Sequence, residues 1–279
     1  MRLLFIVMLT VSVTAQEIES SETDAILDDL FTVDSLEVLN LINDLKKQDY
    51  LYATVLYNDK VLFSGRDFGV EQYSIFPSIS YIDATNFFLN IGSGYYSGIE
   101  PNWDFITLSG GYSNFVNKKK TLMGTLVYSY SSYNEDVANL NNQRLSAGLS
   151  LRHKALRNSA TVGYLFGGES SFFISNNTYY SIELLDSKRL DISIQPRLGL
   201  FWGSQTTSEL VRTGFNFSIV ETDVFQRLNT ELSIPIEFDF GDWDFELDYT
   251  LSMPNPLPGE TDLERSGFLS FSVGYLIGL

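Results

Sequence analysis

The chain of 279 residues carries 35 acidic and 18 basic side chains, a net charge of −17, a single histidine and no cysteine. The length suits one large domain or two small ones; the missing cysteines exclude a disulfide framework and a lipoprotein anchor. The acidic balance argues against nucleic acid as a partner, because phosphate binding needs clustered Lys and Arg, and implies instead a soluble or cation-attracting surface.

Residues 1–15 read as a signal peptide: Arg2, an apolar run from Leu3 to Val13, and Val13-Thr14-Ala15 as a small-residue cleavage site before Gln16. The run is well short of the ~20 residues a membrane-spanning helix needs. Residues 16–49 form a different region, an acidic and partly helical leader. Glu17, Glu19, Glu22, Asp24, Asp28, Asp29, Asp34, Glu37 and Asp44 are spread through it. After Asp34-Ser35, an N-cap, Leu36, Leu39 and Ile42 with Val38, Leu41 and Leu45 recur at three- and four-residue steps, which predicts one short amphipathic helix.

From Tyr50 onward the hydrophobic period is two, the signature of strands. Strands are predicted near 50–57, 72–82, 86–96, 104–115, 121–132, 143–153, 159–167, 178–185, 191–202, 233–240, 243–251 and 269–279. The clearest case is a hairpin. Ile234, Ile236, Phe238 and Phe240 share one face and Ser233, Pro235, Glu237 and Asp239 the other. Gly241-Asp242 is a two-residue turn with Gly where a type II′ turn wants it. Trp243, Phe245, Leu247, Tyr249 and Leu251 then continue the apolar face, and Asp244, Glu246, Asp248 and Thr250 the polar one. Short turns, such as Asp83-Ala84-Thr85 and Asn117 to Lys120, alternate with longer polar links, among them NDKVLFSGRDFGVE, YNEDVANLNN and GSQTTSELVRTG. Residues 205–225 are the weak point of the count, because GFNFSIV fits a strand, a loop hairpin or a lid.

Alternation alone fits a soluble sandwich with its apolar faces inward, or a membrane barrel with them outward. Strand length separates the two. Soluble strands cluster near 5–6 residues, whereas these run to about ten or more, enough for a tilted strand to cross a bilayer. The alternation of short and long connections and the aromatic strand ends point the same way. Trp202 and Trp243 have apolar-face parity at strand ends, Tyr275 lies on the apolar face of the last strand, and Trp103 sits at a strand end with the opposite parity.

On these features residues 50–279 resemble the outer-membrane β-barrel proteins of Gram-negative bacteria. The terminal strand resembles that class's assembly signal, with Leu279 where Phe is usual. The resemblance implies an all-β fold, a transmembrane up-and-down antiparallel barrel of about twelve strands in the outer membrane. Its implied partners are membrane lipid, the barrel assembly machinery through the C-terminal strand, and a periplasmic or envelope protein. The acidic faces then line water inside the barrel and the aromatic faces meet lipid.

The acids of the lumen form the main constellation: Glu237, Asp239, Asp244, Glu246 and Asp248, joined by Glu231. The turn at Gly241-Asp242 sets Asp239 opposite Asp244 and Glu237 opposite Glu246, an unfavourable arrangement for like charges. Compensation is expected from Arg197, Arg144 and Arg152 on the same parity; the sharper alternative is a cation-attracting constriction. The short turns are basic, with Lys118, Lys119, Lys120, Lys154, Arg157, Lys188 and Arg189 on the side of the leader. They either receive the leader or meet lipid phosphates, or the leader enters the lumen as a plug.

His153, beside a short turn, reads as a rim histidine, and the plentiful Ser, Asp and Glu form no motif of nucleophile and base. No catalytic residue, metal site or cofactor is expected. The leading function is a channel for small polar solutes with cation preference; the alternative is a non-conducting adaptor barrel that binds an envelope partner.

Overall fold

The computed structural model describes residues 49–67, 71–98, 100, 102–134, 141–187, 190–213, 216–258, 260 and 263–279. The signal peptide and the predicted leader helix lie outside these residues, as do Lys188 and Arg189.

Period-two segments become strands throughout. They are β1 (Tyr50–Asn58), β2 (Ser74–Ile82), β3 (Phe87–Tyr96), β4 (Trp103–Phe115), β5 (Leu122–Tyr133), β6 (Gln143–His153) and β7 (Leu156–Phe166). There follow β8 (Ser171–Tyr180), β9 (Ile182–Asp186), β10 (Asp191–Ile194), β11 (Arg197–Thr213), β12 (Asn216–Ser233), β13 (Ile236–Phe240), β14 (Trp243–Pro254) and β15 (Ser266–Gly278). Three traverses of the wall are split: β8 with β9, β10 with β11, and β12 with β13. Pro196 and Pro235, which have no amide hydrogen to give a neighbouring strand, sit at two of these breaks. The fifteen segments therefore make twelve barrel strands, each antiparallel to its neighbours.

The sheet closes on itself. β1 pairs with β15 from Tyr50↔Gly278 to Asn58↔Ser270, so the first and last strands leave no free edge between them. Closure is what a spanning sheet requires, since an unpaired edge in hydrocarbon has no water to satisfy it. Both chain ends of the barrel meet at the short-turn rim, where the Leu279 amide donates to the Asp49 carbonyl at 2.9 Å.

The apolar faces point out. Ile79, Leu89, Ile91, Ile106, Leu108, Leu126, Leu149, Leu247 and Leu269 are all exposed, while residues of the opposite parity, such as Ser80, Thr107, Ser109, Ser252 and Ser266, are buried inside. Aromatic rings crowd both ends of this outer band, as at membrane interfaces. At the short-turn end Trp243 lies 4.6 Å from Tyr275 and Phe87 lies 4.7 Å from Tyr112, ring centre to ring centre. At the long-loop end Tyr57, Tyr73, Tyr95 and Trp103 form a chain with spacings of 5.8, 6.1 and 5.4 Å.

Trp103 belongs to that outer chain despite its parity in the sequence. Gly94 pairs with Phe105 but Tyr95 pairs with Trp103, so Asp104 is an extra residue, a bulge that turns Trp103 to the outer face. Trp202 pairs with Ile174 on the outer side and is half-buried.

Two segments differ from expectation. The strand predicted at 178–185 already begins at Ser171, and GSQTTSELVRTG is not a loop. β11 and β12 stay paired from Arg197↔Ser233 to Thr213↔Asn216. β8 accompanies β11 only as far as Gly203, and β14 accompanies β12 only from Asn229. The remainder of the hairpin is a two-stranded ribbon that extends past the strands on either side.

Candidate functional site

The lumen is built from small residues whose hydroxyls pair across the ladder. Thr54 and Ser78 share a hydrogen bond of 2.8 Å, Thr107 and Ser131 one of 2.7 Å, and Ser113 and Thr125 one of 3.0 Å. Ser109 donates to Ser129 at 2.9 Å. Each pair is directly opposed in the strand register, so alternate residues of the sequence become a hydrogen-bonded inner wall. Larger rings lie flat where glycine leaves room: Phe173 covers Gly163, at which a Cβ would collide with the ring, and the Arg144 guanidinium stacks 4.6 Å over Phe173.

The acidic side chains converge on one side of this lumen, near the short-turn rim. Gly241, at φ +65°, closes the β13–β14 turn, and the register sets Asp239 opposite Asp244 and Glu237 opposite Glu246. The next strand adds Asp191 opposite Asp239. The repulsion is met mostly by neutral donors. Tyr52 donates to Asp244 at 2.9 Å; Ser193 donates to Glu237 at 3.1 Å, and Gln195 also donates to Glu237. Asp248 accepts from Thr250 at 2.9 Å and from the Ile234 amide at 3.1 Å, and Asn229 donates to Glu231 at 2.8 Å.

Of the three arginines expected to compensate, Arg197 reaches the acids, at 3.7 Å from Glu246. Arg144 lies instead in the stack over Phe173, and Arg152 faces Arg157 across the β6–β7 ladder. Arg157 lies on the lumen parity of β7, although its place beside a turn had set it outside. It stands 5.7 Å from the Tyr179 ring, and Arg197 stands 5.9 Å from the same ring. Arg152, Arg157 and Lys120 line one pocket of the lumen together with Ser150, Ser159 and Tyr179. The short-turn half of the lumen thus has an acidic wall on β13–β14 and a basic one formed by the β4–β5 turn, β6 and β7. His153 is exposed at the end of β6 with outward parity. Among the described residues no three His, Asp or Glu side chains converge as a metal site would require.

The opposite mouth holds a feature that sequence reasoning missed. The β1–β2 connection folds inward. Val61 is buried against Phe76, Tyr96 and Phe105, with Phe63 and Tyr133 packed beside it. Ser64 and Gly65 have φ of 48° and 80°, a tight turn closed by Phe63 and Arg66, whose amides and carbonyls exchange hydrogen bonds of 2.9 Å. The turn reaches the far wall: a Cβ on Gly65 would collide with the Asn229 side chain on β12. Arg66 then grips the β14–β15 connection, giving Nε to Glu260 at 2.9 Å, and Nη2 to the same carboxylate and to the Asn255 carbonyl, both at 2.8 Å. This bidentate hold keeps the Glu260 carboxyl below its usual range. The only sequence trace was SGRD, a turn dipeptide followed by a charge pair.

A closed antiparallel sheet with an apolar exterior, aromatic girdles and a polar interior defines a transmembrane β-barrel of the outer-membrane class. No family model matches the chain, and no curated protein matches it. Solved structures with a similar course include the KdgM porin, aligned over 81% of this chain and 98% of its own at 10% identity, TM-score 0.48. The translocator domain of the autotransporter NalP from Neisseria meningitidis covers 91% of this chain and 98% of its own at 11% identity, TM-score 0.49. An outer membrane channel from Pseudomonas putida F1 covers 84% and 97% at 11% identity, TM-score 0.48. At such identities the likeness is one of architecture alone.

Proposed function

We propose that this barrel is a channel for small polar solutes across the outer membrane, with a preference for cations set by the acidic wall. The observation that carries the reading is the paired register of Asp239 with Asp244 and Glu237 with Glu246 on a lumen-facing surface. Directly opposed carboxylates lower the stability of a sheet, and a barrel that served only as a scaffold would gain by replacing them. Within a lumen they attract cations, as acidic rings do in channels. Arg197 offsets Glu246, which leaves Asp239 and Asp244 as the principal source of the field.

Replacing Asp239 and Asp244 together by Asn removes two charges while keeping the size of each side chain. In planar bilayers under a salt gradient, the reversal potential of D239N/D244N is expected to move toward zero relative to the parent. An unchanged reversal potential rejects cation preference.

A second reading, a non-conducting adaptor barrel, is favoured by the inward β1–β2 connection, which crosses the long-loop mouth from the β2–β4 wall to β12. Liposome swelling decides between them. A channel passes small sugars at a measurable rate once the mouth is loosened, whereas an adaptor passes none in either state.

A further inference from the structure

We propose that the outer face of the barrel holds one phospholipid of the leaflet on the short-turn side, with an acyl chain lying in a notch at Gly110 and the phosphate held at the β4–β5 turn by Lys118 and Lys119. The inference rests on the lipid-facing exterior and is independent of whether the lumen conducts.

The notch is a missing side chain in a row of large ones. The register aligns Tyr81, Leu89, Gly110, Tyr128 and Leu145 on five successive strands, β2 to β6, all on the outer face. Gly110 contributes no side chain at the centre of that row, and the recess it leaves has a volume of about 490 Å³. One rung closer to the short-turn rim, Phe87, Tyr112 and Leu126 bound it. In water such a recess would fill with solvent. On this face it opens onto hydrocarbon, where a gap leaves its lining atoms without contacts, and an acyl chain is the group at hand to supply them.

Charge gives the class of lipid and its orientation. From Gly110 to Phe115, the end of β4, is roughly 17 Å along the strand, or about 13 Å in depth at the tilt usual for such barrels. That is about half the height of the apolar band, which is about 25 Å. A chain whose headgroup sits at the β4–β5 turn therefore reaches the notch without leaving its own leaflet. The turn carries Lys118 and Lys119, both exposed, while Lys120 lies 5.7 Å from the Phe115 ring. Lysines at headgroup level attract a lipid phosphate. Asp83, the acid beside the recess, is engaged by its own turn: it accepts from the Thr85 amide and from the Thr85 hydroxyl at 2.6 Å.

The notch can be filled with little disturbance of the wall, because a Cβ on Gly110 meets the end of the Leu89 side chain at 3.2 Å and the Phe88 carbonyl at 3.9 Å. The full chain in detergent is titrated with dioleoylphosphatidylglycerol, and bound lipids are counted by native mass spectrometry. The expected result is a first lipid bound several-fold more tightly than the second, with that first step weakened several-fold in Gly110→Leu and in K118Q/K119Q. Dioleoylglycerol, which has the same chains and no phosphate, should bind the parent no better than the phospholipid binds K118Q/K119Q. Leu145→Trp, which narrows the recess from its edge, serves as a second filling variant where heat-modifiable migration on gels shows Gly110→Leu to be unfolded. Lipids that bind in equal steps, or a first step that neither the filling variants nor K118Q/K119Q weaken, would overturn the proposal. A dimer of the parent that Gly110→Leu dissociates would overturn it too, since the recess would then receive a second copy of the chain.

Discussion

Leu108→Arg should destabilise the inserted barrel strongly. Leu108 lies near the middle of β4, between Ile91 and Tyr130 on the neighbouring strands, and is 56% exposed on the outer face. An arginine on the lipid face near the bilayer midplane costs about 2–4 kcal/mol, a large share of a typical folding free energy of ~5–15 kcal/mol. The adjacent position gives the contrast. Ser109→Ala removes one hydroxyl pair with Ser129 in the lumen, worth about 0.5–1.5 kcal/mol. Denaturant unfolding from lipid vesicles should therefore rank the two variants clearly, with Leu108→Arg the worse. The reverse order would mean that Leu108 faces water.

The second large effect is expected at the long-loop mouth. Arg66 is buried and holds Glu260, the Asn255 carbonyl and the Ser64 carbonyl at once, which fixes a short connection across a wide opening. Arg66→Ala removes all of these contacts and should free Val61 and Phe63 from the mouth, raising conductance several-fold and increasing gating noise. Glu260→Gln keeps the shape but loses the ion pair, and should lie between the parent and Arg66→Ala. Acid should act in the same direction. Because the Glu260 carboxyl is held below its usual range, the latch is intact above the ordinary glutamate range and is lost as pH falls through the lowered value. Conductance measured against pH should rise only at acid pH in the parent and stay flat there in Glu260→Gln. Equal conductance in all three proteins at every pH would show that the connection does not limit flow.

Much of this architecture was legible from side-chain alternation. Period-two patterning located the strands because every wall residue faces either lipid or the lumen, and the Gly241-Asp242 turn fixed the register that opposes Asp239 to Asp244. The sequence was silent wherever a segment does not face lipid. For the β11–β12 ribbon the sequence left a strand, a loop hairpin and a lid open, because the segment lacks the long two-faced alternation of the wall strands. Trp103 was assigned the wrong side because a bulge at Asp104 changes parity without any marker in composition. Arg157 was placed in a turn because the β6–β7 connection is tighter than its basic residues suggested; only Lys154 and Ala155 separate the strands. The mouth connection was the largest omission. Its packing joins Val61 to Phe76, Tyr96 and Phe105 on one wall and brings Gly65 against Asn229 and Arg66 to Glu260 on another, contacts distant in sequence that no local pattern encodes.

The most direct measurement compares two single-tryptophan proteins, Leu108→Trp and Ser109→Trp, each with the native tryptophans replaced by phenylalanine, in bilayers whose acyl chains carry bromine near mid-chain. The outward face predicts strong fluorescence quenching for Leu108→Trp and little for Ser109→Trp. Equal quenching of the two, or the opposite order, would contradict the assignment of lipid to the apolar face.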